Sequence, residues 1–381
     1  MSARVFLIFV LSIFSKSLLC AQDETTTSGV SIDCAEVLNQ AEAEFSAGHF
    51  YGIPSLLSDC LNKFTNEQKV QAYLLLAQSY LLIDDPIGAE NSYLKLLEAN
   101  PEYVADEIKD AIDIFYLSKK FTATPLFTPH GGMGGNMAFV RTIYENGTNP
   151  YEQSRKDRSG FGWHFGGGID WNINDNISLS GEIQYSYKVL KTTIDISNDP
   201  KLQSSIEKQS WIDVPIYLKY RASTGKFRPF GYAGFAFNLL LNSKVELALT
   251  NKYPSLGGNS QNITEGPDLN IRYKRNFLNR SLVFGGGILY KVGKNYLYAD
   301  IRYMPGLTNV TNDKNVYYDK DSNKEDNSSY RYEYLSDSFR IDNASLSVGY
   351  VYPLYYPRKV KRARTGSAFR KISKQGDEEG K

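Results

Sequence analysis

Two hydrophobic periods divide the chain. From Ser31 to about Ser118 the apolar residues recur at helical spacing. Asp33 is placed to cap a helix through Leu38, Ala41 and Phe45, which Gly48 ends. A second helix carries Ile53, Leu57 and Leu61, with Pro54 tolerated in its first turn. A third runs from Glu67 through Leu74, Ala77 and Leu81 to the Asp84-Asp85-Pro86 turn. A fourth carries Ala89, Tyr93, Leu96 and Leu97 and stops at Asn100-Pro101, and a last one is predicted from Tyr103 to Leu117.

Beyond a linker, residues 119–130, the period changes to two. Phe161, Trp163, Phe165, Ile169 and Trp171 alternate with Gly162, His164, Gly166, Gly168 and Asp170. Ile212, Val214, Ile216, Leu218 and Tyr220 oppose Asp213, Tyr217, Lys219 and Arg221. Segments around Leu179, Ile301 and Leu346 alternate in the same way. The strands expected are 132–144, 161–173, 177–190, 211–222, 228–241, 281–292, 296–304 and 341–354. Apolar-out, polar-in alternation at this length predicts a transmembrane barrel, although a soluble β-sandwich also alternates. Tight turns at Asn174-Asp175-Asn176, Ser223-Thr224-Gly225 and Gly293-Lys294-Asn295 interleave with long loops at 145–160, 191–210, 242–280 and 305–340. In outer-membrane barrels the short turns face the periplasm, so the helical region and the C-terminal tail are expected there. The fold class expected is α+β multidomain: a small all-α helical-repeat domain (31–118), then an eight-stranded antiparallel transmembrane β-barrel (131–356) and a basic tail (357–381).

Composition sharpens this picture. The mean hydropathy is −0.38, which excludes a bundle of apolar membrane helices. A formal net charge of +1 argues against whole-chain attraction to nucleic acid. Arg4, the apolar run Val5–Phe14 and the small residue Ala21 read as a secretory signal spanning 1–21. Leu19 is bulkier than the small residue that lipid attachment normally follows, so cleavage after Ala21 is favoured over a lipidated Cys20. Cys34 and Cys60 then remain as a disulfide candidate, with two separate buried thiols as the alternative.

Ala77, Tyr80, Ala89, Tyr93 and Pro101 stand at the spacings of a tetratricopeptide repeat, which the third and fourth helices resemble. The resemblance implies a peptide- or protein-binding groove, with Tyr73, Gln78, Tyr80 and Asn91 as partner-binding candidates; a helical cap without ligand is the alternative. Ile212-Asp213-Val214-Pro215-Ile216-Tyr217-Leu218-Lys219-Tyr220, Phe227-Arg228-Pro229-Phe230-Gly231-Tyr232-Ala233-Gly234 and Gly285-Gly286-Gly287 resemble the outer-membrane barrel family common in Bacteroidota, which includes PorT-type secretion components. That resemblance implies fold and outer-membrane location, and more loosely a role in secretion or envelope assembly.

Catalytic chemistry finds little support. His49, His130 and His164 are scattered without a metal-ligand or nucleophile–base pattern, and no cofactor is expected. Gly131 to Gly135 lacks a phosphate-binding lysine and reads as a flexible lead-in to the barrel. Asp319, Asp321, Asn323 and Glu325 resemble a calcium series, but Tyr330 stands where its last carboxylate belongs. Glu182, Lys188, Asp213, Lys219, Arg221, Asp300 and Arg302 are expected in the lumen, paired with one another, because an unpaired interior charge is costly. The tail residues Arg358, Lys359, Lys361, Arg362 and Arg364 form a basic run that reads as disordered, able to touch anionic lipid, peptidoglycan or an acidic partner. The expectation for function is a non-enzymatic outer-membrane anchor for a periplasmic interaction module. The alternative is a small porin or uptake accessory whose loops hold ligand.

Overall fold

The computed structural model describes residues 33–108, 110–145, 153–196, 201–251, 263–266, 268–316, 334 and 336–360. The expected signal segment, the calcium-like loop and tail residues Lys361, Arg362 and Arg364 lie outside them.

Helix α1 (Cys34–Ser46) starts where Asp33 accepts from the Ala35 amide at 3.0 Å. Helix α2 (Ile53–Ser58) keeps its proline in the first turn. Helix α3 (Asn66–Leu82) opens with a capping box in which Thr65 and Gln68 each satisfy the other's backbone amide. Asp84, at φ 61°, turns the chain into α4 (Pro86–Ala99), and Asp85 caps that helix through the amides of Ile87 and Gly88.

The helix expected over Tyr103–Leu117 is a short one, α5 (Ile112–Ser118). Aspartates compete for the backbone before it: Asp110 accepts from the Asp106 amide at 2.8 Å, and Asp106 from the Ile108 amide at 2.9 Å.

Cys34 and Cys60 are joined, with their Cα atoms 5.4 Å apart. The bridge closes α1 and α2 over a core of Leu38, Ala41, Ile53, Leu57 and Leu76. Because it removes loop-closure entropy from the unfolded chain, Cys34→Ser is expected to destabilise the helical unit by roughly 2–4 kcal/mol. Chemical denaturation followed by the helical circular-dichroism signal would measure this; an unchanged midpoint would count against it.

The strands are β1 (Phe121–Thr122), β2 (Phe127–Tyr144), β3 (Gln153–Ser159), β4 (Phe161–Asn172), β5 (Ile177–Ile196), β6 (Lys201–Arg221) and β7 (Phe227–Asn251). They continue as β8 (Ile263–Glu265), β9 (Leu269–Asn270), β10 (Leu278–Val292), β11 (Asn295–Met304), β12 (Ser338–Val351) and β13 (Arg358–Lys359). Antiparallel ladders join β2–β4–β5–β6–β7–β10–β11–β12, and β12 pairs back onto β2, so the sheet closes on itself. Closure leaves no unpaired backbone edge around the ring, which is what a bilayer requires of a spanning sheet. Outward-facing Phe161, Trp163, Phe165, Ile169 and Trp171 stay exposed, while Gly162, His164 and Asp170 between them are turned inward and covered.

Several boundaries differ from the sequence reading. Gly131 to Gly135 is not a flexible lead-in but the middle of β2, paired on both sides. Phe121 and Thr122, read as linker, pair with Arg358 and Lys359, so the first tail residues are held in a ladder. The loop expected at 191–210 is largely strand, 242–280 holds the end of β7, all of β8 and β9 and the start of β10, and 145–160 contains β3. Strands β5, β6 and β7 run to 20, 21 and 25 residues, about twice the ~9–11 residues that cross a bilayer. They project as a sheet beyond the ring's long-loop end.

Candidate functional site

The barrel interior is filled in layers. Nearest the short-turn end, Asp170 accepts from Lys219 at 2.8 and 3.0 Å and from Ser180. Glu182 binds the Arg302 fork at 2.7 and 3.1 Å, the His130 Nε2 at 3.1 Å and the Tyr217 hydroxyl. Arg302 also donates to the Tyr232 hydroxyl at 2.9 Å and lies over the rings of Tyr217 and Tyr232, which stack 4.4 Å apart. Asp300 accepts from Tyr232.

Bulky side chains fit here because glycines stand beside them on neighbouring strands. A Cβ at Gly285 would run into the Tyr232 ring, and one at Gly132 into the Tyr298 hydroxyl.

Higher in the lumen His164 meets the Ser347 hydroxyl at 3.0 Å. The fully buried Asp213 gathers Ser186 at 2.5 Å, Asn238 at 2.6 Å and Lys188 at 3.3 Å, with the Trp211 ring 5.0 Å from the lysine nitrogen. Above this polar zone Trp211, Leu240, Phe339 and Ile341 form an apolar plug. Beyond the plug, buried Arg275 forks onto Glu207 at 2.7 and 2.8 Å beside the Tyr334 hydroxyl. Among the described residues, three voids along the lumen measure about 20–30 Å3 each.

Six of the seven charges expected in the lumen are therefore brought together. Arg221 is not one of them: it lies at the short-turn mouth, donating to the Asn172 side chain at 3.0 Å and the Asp175 carbonyl at 3.2 Å. Asp170 and His130 belong to the network too: Asp170 lies in the polar row of its strand, whereas His130 lay in the segment read as linker. Glu207 and Arg275 lay in segments read as loop, so no periodic signal marked their pairing.

A second assembly joins the two halves of the molecule. Glu102, from the segment after α4, accepts from both terminal nitrogens of Arg228 at 3.0 and 2.7 Å, from Tyr355 at 3.0 Å, and from Tyr296 and Lys291. Burial alone would raise its pKa, but the bonds from Arg228, Lys291 and Tyr296 and the charge of Arg228 bring it down to about 2. Lys359 holds Glu90 of α4 at 2.7 and 2.8 Å, which lowers that carboxyl's pKa, with Lys120 nearby at 3.6 Å. Lys294, in a barrel turn, donates to the Glu98 carbonyl at 2.8 Å.

The partner-binding candidates divide. Tyr73 and Tyr80 are half-buried and pack into the helical cores, Tyr80 against Gly88, so they fasten α3 to α4 rather than project. Gln78 is half-buried and Asn91 is exposed. Arg358 is half-buried and donates to the Tyr356 carbonyl at 3.3 Å, whereas Lys359 is exposed but committed to Glu90.

Comparison with known proteins bears on the barrel. Residues 127–312 match the family described as "Outer membrane protein beta-barrel domain". No curated protein matches the chain. Among solved structures it is similar to OprG from Pseudomonas aeruginosa, at 10% identity over 62% of this chain and 98% of that one, with a TM-score of 0.31. Neisserial surface protein A is similar at 14% identity over 60% and 97%, TM-score 0.29. Ail from Yersinia pestis is similar at 12% identity over 59% and 99%, TM-score 0.26. This match, together with the closed ladder that β12 completes and its apolar outer face, indicates an outer-membrane β-barrel located in the outer membrane.

Proposed function

We propose that the barrel is an anchor that holds the helical unit at the periplasmic surface of the outer membrane, where it recruits partner proteins of a secretion or envelope-assembly complex. The observation that carries this reading is the Glu102 assembly, in which four barrel side chains converge on one carboxylate of the helical unit. A freely swinging domain would have no use for such a joint. The filled lumen supports the same reading, because side chains and an apolar plug occupy the space a conducting pore would need. In this proposal the short turns face the periplasm, as barrel topology favours. The helical unit acts as a tetratricopeptide-like module, with its exposed face at Asn91 available to a partner. The resemblance of the barrel strands to PorT-type secretion components supports this reading.

The test is photocrosslinking in intact cells from a benzoylphenylalanine placed at Asn91. A discrete adduct with an envelope protein is expected. No adduct from this position or others on the exposed helical face, together with normal secretion in a deletion strain, would sink the proposal. A stable open channel in planar bilayers would favour the small-porin alternative.

A further inference from the structure

Between the helical unit and the short-turn end of the barrel lies a cavity of about 310 Å3, at the lower end of the roughly 300–1,000 Å3 usual for ligand sites. Tyr93, Leu97 and Phe121 give it an apolar wall from the helical side, and Leu289 and Pro353 continue that wall on the barrel side. Hydroxyls fill much of the remaining lining: Thr122, Thr124, Ser223 and Thr224.

Charge is unevenly shared around it. Arg228 and Lys291 both fall on Glu102, so two cations share one carboxylate. Asp175 accepts from Thr124. Arg221 donates only to neutral oxygens, and among the described residues no carboxylate oxygen lies within 4.0 Å of its guanidinium. Arg221 and Arg228 balance Glu102 and Asp175 in the lining, but Glu102 is already taken by Arg228 and by Lys291 behind it, so Arg221 is the lining cation left without a carboxylate. A half-buried guanidinium with neutral partners is a ready donor to a carboxylate, which fits its planar fork.

We infer that this cavity receives the C-terminal end of a partner polypeptide, its terminal carboxylate on Arg221 and its last, apolar side chain against Phe121 and Leu289. A fatty acid would offer the same carboxylate and apolar body. Its chain, however, would offer nothing to the Ser223 and Thr224 hydroxyls, whereas a peptide backbone supplies donors and acceptors for them; Thr122 and Thr124 are already bonded to each other and to Asp175. The site rests on the reading that the periplasmic side of the molecule recruits a polypeptide, and it adds where and by which end.

The test uses full-length protein in detergent micelles and a fluorescein-labelled Ser-Gly-Ser-Thr-Leu-Phe hexapeptide with a free C-terminus, read by anisotropy. Saturable binding is expected. Amidating the terminus, or Arg221→Gln, should weaken it about tenfold, the loss of one charge-assisted contact. Arg221→Lys should fall between, since it keeps the charge but not the fork. Ser223→Trp, which fills the cavity from the turn, should abolish binding while the barrel still migrates as a folded band. Equal affinity for acid and amide, or decanoate binding as tightly as the peptide, would overturn the inference. If the peptide fails while crosslinking at Asn91 still captures a partner, the site falls and the recruitment reading stands; if both fail, so does that reading.

Discussion

Glu102→Ala should release the helical unit from the barrel. The substitution leaves Arg228, Lys291, Tyr296 and Tyr355 without their common acceptor. Breaking a largely buried ion pair from one side costs on the order of 3 kcal/mol, because the remaining cation keeps its desolvation penalty. Spin labels at Asn91 and Lys226, both exposed, would report a single narrow distance in the wild type and a broad one in the variant. An unchanged distribution would show that the other contacts suffice.

The same joint should respond to acid. Glu102 is depressed from 4.5 to about 2, so its contribution to docking is fully present above pH 4.5 and is lost as pH falls through about 2. Titrating the spin-label distance from pH 6 to pH 2 should show the broadening only in the lower part of that range. Glu102→Gln, which keeps an acceptor oxygen but not the charge, should lie between wild type and alanine and lose the pH response.

The second large effect is expected inside the barrel. Glu182→Ala removes the acceptor of the Arg302 fork and of His130 and Tyr217, in a place where Arg302 is only 5% exposed. Stranding that guanidinium should cost about 3–5 kcal/mol. The temperature at which the folded band converts to the unfolded band on heated gels should drop accordingly. The pair Glu182→Leu with Arg302→Leu should recover part of the loss, since both members of the fork are gone, although Asp300 then loses its ion pair with Arg302 at 3.9 Å. A single variant as heat-resistant as the wild type would mean that the layer contributes little to barrel stability.

The lipid-facing and lumen-facing rows were legible because the outer face must be apolar along the whole span, and side chains alternate strictly along a strand. Phe161 to Trp171 shows this: one row exposed, the other holding His164 and Asp170 inside. The reading stopped at residue 241 for a physical reason. Ser210 pairs with Asn242 and Trp211 with Leu240, so Leu241 is an extra residue in β7. Before this bulge the even-numbered Ala236, Asn238 and Leu240 point inward; after it the odd-numbered Ser243, Val245 and Leu247 do. A search for unbroken alternation ends at that parity change, and Glu207, paired through the same region, was read as loop. The helix expected over Tyr103–Leu117 failed for a similarly local reason, since Asp106 and Asp110 bind backbone amides that a helix would have used.

The sequence by itself determined what each segment could become: capped helices up to Ser118, then strands with an apolar and a polar face. Period, capping and turn chemistry are local, and they can be read from neighbours a few residues apart. Only the tertiary structure decided which polar groups meet. Glu182 finds Arg302 across 120 residues, and Glu102 finds Arg228 across 126. Those partners depend on strand register and on how the helical unit rests against the turns, because the closed sheet sets which inward positions share a level. Register follows from the summed pairing of every strand around the ring, so no single segment contains it.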